Sequence, residues 1–303
     1  MIDSWFLIVN PSAGNKNFNN SWNLIQKLLK KEKISYDFAF TLYNKHEILL
    51  VNNALKKGYR KLISVGGDGT LHHVVNGIMT QRYIKTLDIK VAVIPLGTGN
   101  DWIKTYTIPN SIKESIKILK LGNTRLQDIG CLHLDSGKKE FFNNLAGIGY
   151  NAYVINKLQL LKKLGPISFL LTGLYSLLFY KKLSYDIYIK KQKKRVKCLM
   201  ILFGICKYSG GGLQITKNPS PNDGFLDITI VKDFSFFELI CNIHKLYNGT
   251  IVEHKKIENY KVKEIKILQQ KKEKSFIEGD GELIGQGSLK VSIIPEALFF
   301  IIP

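Results

Sequence analysis

Apolar and polar positions follow a regular rhythm over the first part of the chain. Four runs have the length and the hydrophobic or alternating pattern of strands, namely Phe6 to Val9, Ser35 to Thr41, the run beginning at Leu62, and Lys90 to Ile94. Amphipathic stretches separate these runs. The rhythm continues to about Leu121 and predicts an open parallel sheet with crossover helices.

Two of the amphipathic stretches are predicted helices. In the first, Ser21 is expected to act as the N-cap, and apolar residues recur at helical spacing at Trp22, Ile25, Leu28 and Leu29. The second spans Lys45 to Lys57 and ends at Gly58. Ligands of such open sheets bind beyond the carboxyl ends of the strands, so loops at those ends are the candidates for a binding site.

After Gly122 the pattern changes to consecutive strands with few helices between them. The predicted strands are Arg125 to Leu134, Glu140 to Ala146, Tyr185 to Lys190, Val196 to Ile205, and Leu226 to Val231. Strands joined by turns favour a mostly antiparallel, β-rich C-terminal domain. We therefore expect an α/β domain over residues 1–129 and a β-rich domain over residues 130–295.

The segment Leu158 to Tyr180 interrupts these strands. It has no charged residue from Leu164 to Tyr180. Because it is short for a membrane span and contains glycine, proline and hydroxyl residues, an interfacial or buried pair of helices is favoured over a transmembrane helix. Such helices could line a groove for acyl chains or cover the second sheet. The basic stretch Lys190 to Lys197 is expected at an exposed hairpin tip.

Length and composition add bounds to this picture. With 303 residues, two domains are the default expectation. The N-terminus has no basic region before its short apolar run, so it reads as a strand and the protein is expected to be cytoplasmic. The four cysteines have no metal-binding spacing and are expected to be reduced core residues.

The net charge of +20 has three possible causes: nucleic acid, an anionic membrane, or compositional drift toward lysine. Only four of the 44 basic residues are arginines, the residue type that base-reading proteins use most, so no nucleic-acid partner is expected. Drift explains much of the excess without a partner. A peripheral position at the inner face of an anionic membrane fits the remaining possibility, because lysines near such a surface are attracted to it.

The stretch Leu62 to Met79 combines a strand, a glycine loop and a helix that starts near Thr70. Gly66, Gly67 and Gly69 allow the backbone amides to approach a ligand, and the positive end of the helix favours phosphate there. Asp68 would repel phosphate unless a divalent cation lay between them. The stretch therefore suggests a nucleotide with Mg²⁺.

A second loop of this kind, Pro95 to Asp101, follows the strand Lys90 to Ile94. Together with other motifs in order along the chain, it resembles the diacylglycerol-kinase-type lipid kinases, which include sphingosine and ceramide kinases, and in particular their soluble bacterial branch. The matching motifs are Asn10 to Asn15, Gly66 to Thr70, Pro95 to Asp101, Asn222 to Gly224, and Asp280 to Glu282. Gly-Gly-Asp-Gly-Thr alone is shared with NAD kinases and phosphofructokinase-like enzymes.

The resemblance implies a two-domain lipid kinase fold with ATP and Mg²⁺ in the first domain, to which residues 296–303 would return. Asp68 would act in catalysis by reaching the magnesium ion, and Asp101 and Asp128 would complete a network of carboxylates and water. The residues implied to line the nucleotide site are Asn10, Pro11, Ser12, Ala13, Gly14, Thr41, Gly66, Gly67, Asp68, Gly69, Thr70, Leu71, His72 and Thr98.

The same resemblance assigns Glu282, in Asp-Gly-Glu, as the general base for the lipid hydroxyl. On spacing alone, the acidic stretch Glu278 to Glu282 is a turn or a weak calcium loop. The resemblance further implies a second, structural magnesium ion bound by Asp223 and by backbone oxygens of Ser220 and Phe225. Most relatives carry Asp-Asp-Gly there, whereas this chain has Asn222, which weakens the electrostatic support for that metal ion.

These expectations amount to an ATP-dependent lipid kinase that phosphorylates a primary hydroxyl of a lipid such as diacylglycerol, which enters a cleft between the domains. An NAD-kinase-like phosphotransferase is one alternative. A non-catalytic lipid-binding protein is the other, although such a protein would be expected to have lost Asp68 or Glu282, and both are present. The identity of the lipid and the formation of a homodimer are left open.

Overall fold

A computed structural model describes residues 2–14, 17–158, 166–190, 192–269 and 274–303 of the chain. It divides into two compact units. The first contains Met1–Gln127 together with Glu296–Pro303, and the second contains Asp128–Pro295. The division lies two residues before the boundary that the sequence pattern suggested.

Strands and helices alternate in the first unit. In chain order they are β1 (Ile2–Val9), α1 (Phe18–Lys31), β2 (Tyr36–Phe40), α2 (His46–Lys56), β3 (Tyr59–Gly66), α3 (Asp68–Thr80), β4 (Lys90–Pro95), α4 (Asp101–Thr105) and α5 (Ile112–Leu121). A short 3-10 turn at Thr86–Asp88 precedes β4.

Strands predominate in the rest of the chain. They are β5 (Thr124–Leu134), β6 (Lys139–Phe142), β7 (Leu145–Gly149), β8 (Leu183–Ile189), β9 (Gln192–Cys198), β10 (Met200–Gly204), β11 (Leu226–Val231), β12 (Ile257–Val262), β13 (Glu264–Gln269), β14 (Phe276–Gly279), β15 (Glu282–Gln286) and β16 (Leu289–Ile301). The helices are α6 (Tyr150–Leu158), α7 (Pro166–Leu177), α8 (Phe236–Cys241) and α9 (Ile243–Asn248).

The sheet of the first unit is parallel, in the order β2, β1, β3, β4 and the end of β16. Its strands are apolar because both faces are covered: Leu7, Ile8 and Val9 of β1 have no solvent exposure. Helix α1 presents Trp22, Ile25 and Leu29 as its buried face. This arrangement confirms the predicted α/β domain with an open parallel sheet.

The second unit contains antiparallel sheets. One has the strand order β12, β11, β10, β7, β14, β15, and all its neighbours are antiparallel. In the same unit the beginning of β16 pairs with β13, β13 with β8, and β8 with β9, again antiparallel. The predicted β-rich C-terminal domain is therefore confirmed as well.

Several predicted element boundaries differ from the structure. Helix α1 begins at Phe18, so Ser21 lies inside it and is not its N-cap. The predicted strand Glu140 to Ala146 is two strands, because Asn143 and Asn144 turn the chain between β6 and β7. The predicted strand Val196 to Ile205 is also divided, since Leu199 separates β9 from β10 and donates its N–H to Val231.

The basic stretch at Lys190 to Lys197 is not a hairpin tip over most of its length, because Gln192 onward forms β9. Carboxylates neutralise several of its cations: Lys194 pairs with Glu258 at 2.6 Å, and Lys193 pairs with Asp186 at 3.0 Å. The expectation for the cysteines holds only in part. Cys131, Cys198 and Cys206 are free and buried, whereas Cys241 is free and exposed. Burial raises the pKa of Cys131 to about 11 and that of Cys198 to about 12.

The apolar segment Leu158 to Tyr180 lies partly outside the described residues, which resume at Pro166 with α7. Leu177 and Tyr180 pack against a buried cluster that includes Tyr150, Leu199 and Phe234. In the described part of the chain, no helix is long and apolar enough to cross a bilayer.

Candidate active site

The loops that follow β1, β3 and β4 meet at one edge of the parallel sheet, because the strands run in the same direction. The side-chain amide of Asn10, at the end of β1, donates a hydrogen bond to the hydroxyl of Thr70 at 3.0 Å. The carbonyl of Gly66 accepts hydrogen bonds from the N–H groups of Leu96 at 2.8 Å and Gly97 at 3.3 Å. Three of the motifs singled out in the sequence are therefore in direct contact.

Glycine is required where these loops touch, because backbone lies against backbone. A Cβ atom on Gly97 would lie 2.5 Å from the Cα atom of Gly67. Gly14 has a φ of +85°, and a Cβ atom there would lie 2.4 Å from the carbonyl oxygen of Leu96. Neither neighbour can move aside like a flexible side chain, so other residues at these positions would separate the loops.

Helix α3 directs its N-terminus to this edge of the sheet. Its N-cap, Gly67, has no side chain to cap the first turn, and a helix N-terminus of this kind is suited to an anion. Asp68 is the first residue of the helix and is half-buried. Its carboxylate accepts hydrogen bonds from the N–H groups of Asp101 at 3.0 Å and Trp102 at 3.2 Å, which form the N-terminus of α4.

The carboxylates of Asp68 and Asp101 border the same glycine. A Cβ atom on Gly99 would lie 3.3 Å from Oδ2 of Asp68 and 3.9 Å from Oδ2 of Asp101. The carboxylate of Asp101 is buried and also accepts a hydrogen bond from Lys104 at 2.7 Å. Two carboxylates beside an anion-binding helix N-terminus fit a magnesium ion, which proteins hold with one or two carboxylates and substrate phosphates.

The other residues implied for the nucleotide site fall into two groups. Ser12 and Thr98 are exposed on their loops, where their side chains can reach a ligand. Thr41, Leu71 and His72 are buried, and the His72 ring lies 3.3 Å from the side-chain nitrogen of Asn76. These buried residues support the loops. A cavity of about 350 Å³ borders the second loop and is lined by Leu24, Pro95, Leu96, Gly97, Asn110, Ser111, Ile112 and Lys113.

In the second unit, the acidic stretch Glu278 to Glu282 is a tight turn between β14 and β15. Asp280 and Gly281 have φ values of +52° and +84°. The Asp280 carboxylate accepts hydrogen bonds from the N–H groups of Asn143, Asn144 and Leu145, at 3.0, 2.9 and 3.1 Å. Asp280 therefore fastens the turn to the break between β6 and β7.

Glu278 is buried and also serves the turn. Its carboxylate accepts hydrogen bonds from the Asn151 side chain at 2.7 Å and from the Gly281 N–H at 3.0 Å. Glu282 differs from both acidic neighbours. It is half-buried at the start of β15 and has no hydrogen-bond or ion-pair partner within the described residues. The turn thus contains one carboxylate that no described residue engages.

Asp128 lies with the residues implied for a second metal ion. Its carboxylate accepts a hydrogen bond from the Gly224 N–H at 2.6 Å, and its own N–H donates to Pro221 at 2.7 Å. The Asp223 carboxylate accepts a hydrogen bond from the Phe225 N–H at 3.0 Å and pairs with Lys261 at 2.6 Å. Asp223 is the one side-chain carboxylate implied for this ion, and a cation, the Lys261 ammonium, already pairs with it, so this loop does not fit the implied magnesium ion.

The ionisable groups around this loop shift one another's pKa values. Burial raises the pKa of the Asp227 carboxyl to about 7, and the neighbouring Lys261 opposes that rise. The hydrogen bond to Asp223 raises the pKa of the Lys261 ammonium, which keeps it charged at neutral pH. Over the residues that the structure describes, no group of three or more His, Cys, Asp or Glu side chains could hold a metal ion.

The sequence pattern did not indicate that two asparagines hold the two sites in place. Asn100, which has a φ of +46°, donates hydrogen bonds to the carbonyl of Gly97 and the side chain of Asn110 and so holds the second glycine loop. Asn151 holds Glu278 across 127 residues of sequence. Neither contact follows a local pattern, so only the folded chain reveals these roles.

Comparison with protein families matches both parts of the chain. The family model described as "Diacylglycerol kinase catalytic domain" matches residues 4–132. The model described as "YegS C-terminal NAD kinase beta sandwich-like domain" matches residues 145–302, which is more than half of the chain. The chain therefore belongs to the diacylglycerol-kinase-type lipid kinase family, and its function is of the lipid kinase type.

Individual relatives agree with this assignment. The chain is 25% identical over 311 residues to the protein YtlR of Bacillus subtilis, described as an inferred lipid kinase, covering 97% of this chain and 98% of that protein. It is 28% identical over 265 residues to a diacylglycerol kinase of Staphylococcus aureus, covering 86% of this chain and 81% of the relative. A crystal structure of an inferred diacylglycerol kinase from Bacillus anthracis has the same fold, with a TM-score of 0.79 at 22% identity over 99% of this chain and 97% of that one.

The structural role of Asp280 in the acidic turn can be tested by measuring the free energy of unfolding of variants. Asp280→Asn keeps the size of the side chain but turns one acceptor oxygen into a donor that faces backbone N–H groups. We expect it to lower the free energy of unfolding by about 1.5–3 kcal/mol, the usual contribution of a hydrogen bond to a charged group. Glu282→Gln is the matched control and should stay within about 0.5 kcal/mol of wild type. Urea denaturation of both variants measures this, and equal stabilities would contradict the structural role of Asp280.

Proposed function

We propose that the protein transfers the γ-phosphate of ATP to a primary hydroxyl of a lipid such as diacylglycerol. The observation that carries the proposal is the meeting of three phosphate-type loops around Asp68 at one edge of the first unit's sheet. Family membership supports a kinase-type reaction. The turn that presents Glu282 in the second unit supplies the proton acceptor that such a reaction needs.

The N–H groups at the start of α3 and the glycine loops bind the phosphates of the nucleotide. Asp68 and Asp101 would hold a magnesium ion, which would supply positive charge to stabilise the transferred phosphoryl group. Glu282 accepts the proton of the lipid hydroxyl while the oxygen of that hydroxyl forms a bond to the γ-phosphorus. The bond from the γ-phosphorus to the β-phosphate oxygen breaks, and the leaving group is ADP.

A direct assay tests the proposal. The protein is incubated with labelled ATP and Mg²⁺, and mixed micelles carry diacylglycerol, phosphatidylglycerol or a sphingoid base. We expect label in one of the lipids. NAD is included as an acceptor, because Gly-Gly-Asp-Gly-Thr is shared with NAD kinases; labelled NADP without labelled lipid would favour that alternative. ATP binding without label in any acceptor would favour a non-catalytic lipid-binding protein.

Glu282→Gln tests the proton acceptor. The substitution keeps the size of the side chain but removes its ability to take a proton, so turnover should fall by roughly 10²–10⁴-fold. ATP affinity should not change, because the phosphate-binding loops belong to the other unit. Turnover is measured with the phosphorylated lipid of the preceding assay, and ATP affinity by calorimetry.

Glu264→Gln is the matched control, because Glu264 lies in the same unit and is exposed beside Lys290. It should retain wild-type turnover. Activity of Glu282→Gln within a fewfold of wild type would refute the assignment and direct attention to Asp68. Loss of ATP binding together with activity would instead indicate a structural role for Glu282.

The lipid substrate requires contact with a membrane, and one surface of the second unit is suited to it. We define the apolar face as Leu171, Tyr175, Leu178 and Phe179 in and just after α7, with Phe237 and Ile240 of α8. These side chains are between 41% and 77% exposed. Helices α7 and α8 are in contact with each other. Lys181 and Lys182 follow directly in the sequence, and Lys182 is ion-paired with Asp233, so the attraction to a bilayer is assigned mainly to the apolar side chains.

Substitution of the apolar face should weaken membrane binding. The double variant Phe179→Ser, Phe237→Ser removes two exposed aromatic rings, and we expect at least about a tenfold loss of binding to phosphatidylglycerol vesicles. Leu87→Ser, Leu121→Ser is the control, since both leucines are exposed in the first unit. Flotation assays at low and high salt measure binding, which should weaken with salt as charges are screened. Equal losses in both double variants would contradict this role.

A further inference from the structure

The loop before β11 carries the residues that the family resemblance linked to a structural magnesium ion. The Asp223 carboxylate in this loop is engaged on both oxygens, by the Phe225 N–H at 3.0 Å and by the Lys261 ammonium at 2.6 Å. We propose that Lys261 takes the place of the metal ion, so that this loop is held by a cation that belongs to the chain itself.

The sheet determines where the ammonium lies. Strands β11 and β12 are antiparallel neighbours, and their register places Lys261 directly opposite Asp227. From that position the Nζ atom reaches Oδ2 of Asp223 at 2.6 Å and lies 3.9 Å from Oδ2 of Asp227. Asp227 is 6% exposed, and this oxygen has no hydrogen-bond partner among the residues that the structure describes. The ammonium therefore lies close to two carboxylates, one of them buried.

The charges of the neighbouring residues disfavour a divalent ion at the same loop. An ion bound to Asp223 would lie within a few ångströms of the Lys261 ammonium, and like charges at such distances repel strongly. The Lys263 ammonium lies 5.6 Å from the centre of the Phe225 ring and adds a second positive charge. Asn222, where an aspartate is usual in the family motif, removes a negative charge. All three features reduce the attraction for a metal ion.

The cation has a structural purpose because the loop is tied to β5. Asp128 accepts a hydrogen bond from the Gly224 N–H at 2.6 Å and donates its own N–H to Pro221 at 2.7 Å. These bonds need the loop in one conformation. Neutralising Asp223 within the loop favours that conformation, and the ammonium achieves this at any metal concentration.

The test compares the full-length wild-type protein with Lys261→Met by thermal unfolding, with EDTA or with millimolar Mg²⁺. Any difference in the wild-type Tm between the two conditions should recur unchanged in Asp223→Asn, because it would come from an ion at Asp68 and not at this loop. Lys261→Met should lose about 2–4 °C in EDTA, the size expected when one charge pair in a chain of this length is lost, and Mg²⁺ should restore part of the loss. Lys261→Arg should retain the wild-type Tm, and Lys263→Met is the matched control, since it removes a nearby lysine that does not contact Asp223.

Manganese binding without nucleotide gives a second readout. Electron paramagnetic resonance counts bound Mn²⁺ in wild type and in Asp223→Asn, so that any ion held at Asp68 cancels in the comparison. We expect equal numbers in the two proteins. A wild-type Mn²⁺ site that Asp223→Asn abolishes, or a fall of the wild-type Tm in EDTA that Asp223→Asn abolishes, would overturn the proposal. Lys261→Met with the wild-type Tm in EDTA would also overturn it, and should that variant not fold, the comparison of wild type with Asp223→Asn decides.

Discussion

The candidate active site depends on the close approach of two backbone segments, at Gly67 and at Gly97. A single methyl group on Gly97 would come within 2.5 Å of the opposite Cα atom, so the loops can meet in this way only if residue 97 is glycine. Their contact places the N-terminus of α4 where Asp68 can accept its first N–H groups. The position of the carboxylate proposed to hold magnesium therefore follows from a steric constraint on glycine.

In both units, carboxylates hold backbone segments in place, and this structural role is distinct from a catalytic one. Asp68, Asp128 and Asp280 each accept hydrogen bonds from backbone N–H groups of a segment distant in sequence. Such charge-assisted bonds are stronger than neutral ones and fix the loops that bear them. Glu282 stands apart because nothing in the described chain occupies its oxygens. In the acidic turn, Glu278 and Asp280 therefore hold the backbone in place, whereas Glu282 does not take part in holding it.

Much of the fold was predictable from the sequence, because period-two and helical patterns reflect burial directly. The parallel sheet and the antiparallel domain both follow from such patterns. Interruptions were harder: the chain stays apolar through Leu199, so no local signal marks the change from β9 to β10. Among the site residues, the glycine loops were recognisable, whereas the pairing of Lys261 with Asp223 depends on the register of β11 and β12, which no local pattern determines.

Strand β16 has a consequence for the order of folding. Phe299 and Phe300 of this strand pair with β4, and Phe300 stacks against Trp102 in the core of the first unit. The parallel sheet that bears the glycine loops therefore includes a strand translated roughly 200 residues after β4. Contacts between residues so far apart in the sequence slow folding. During synthesis on the ribosome, the second unit is translated in full before the last strand of the first unit's sheet is available. The nucleotide-type loops thus reach their final support only when nearly all of the chain has been made.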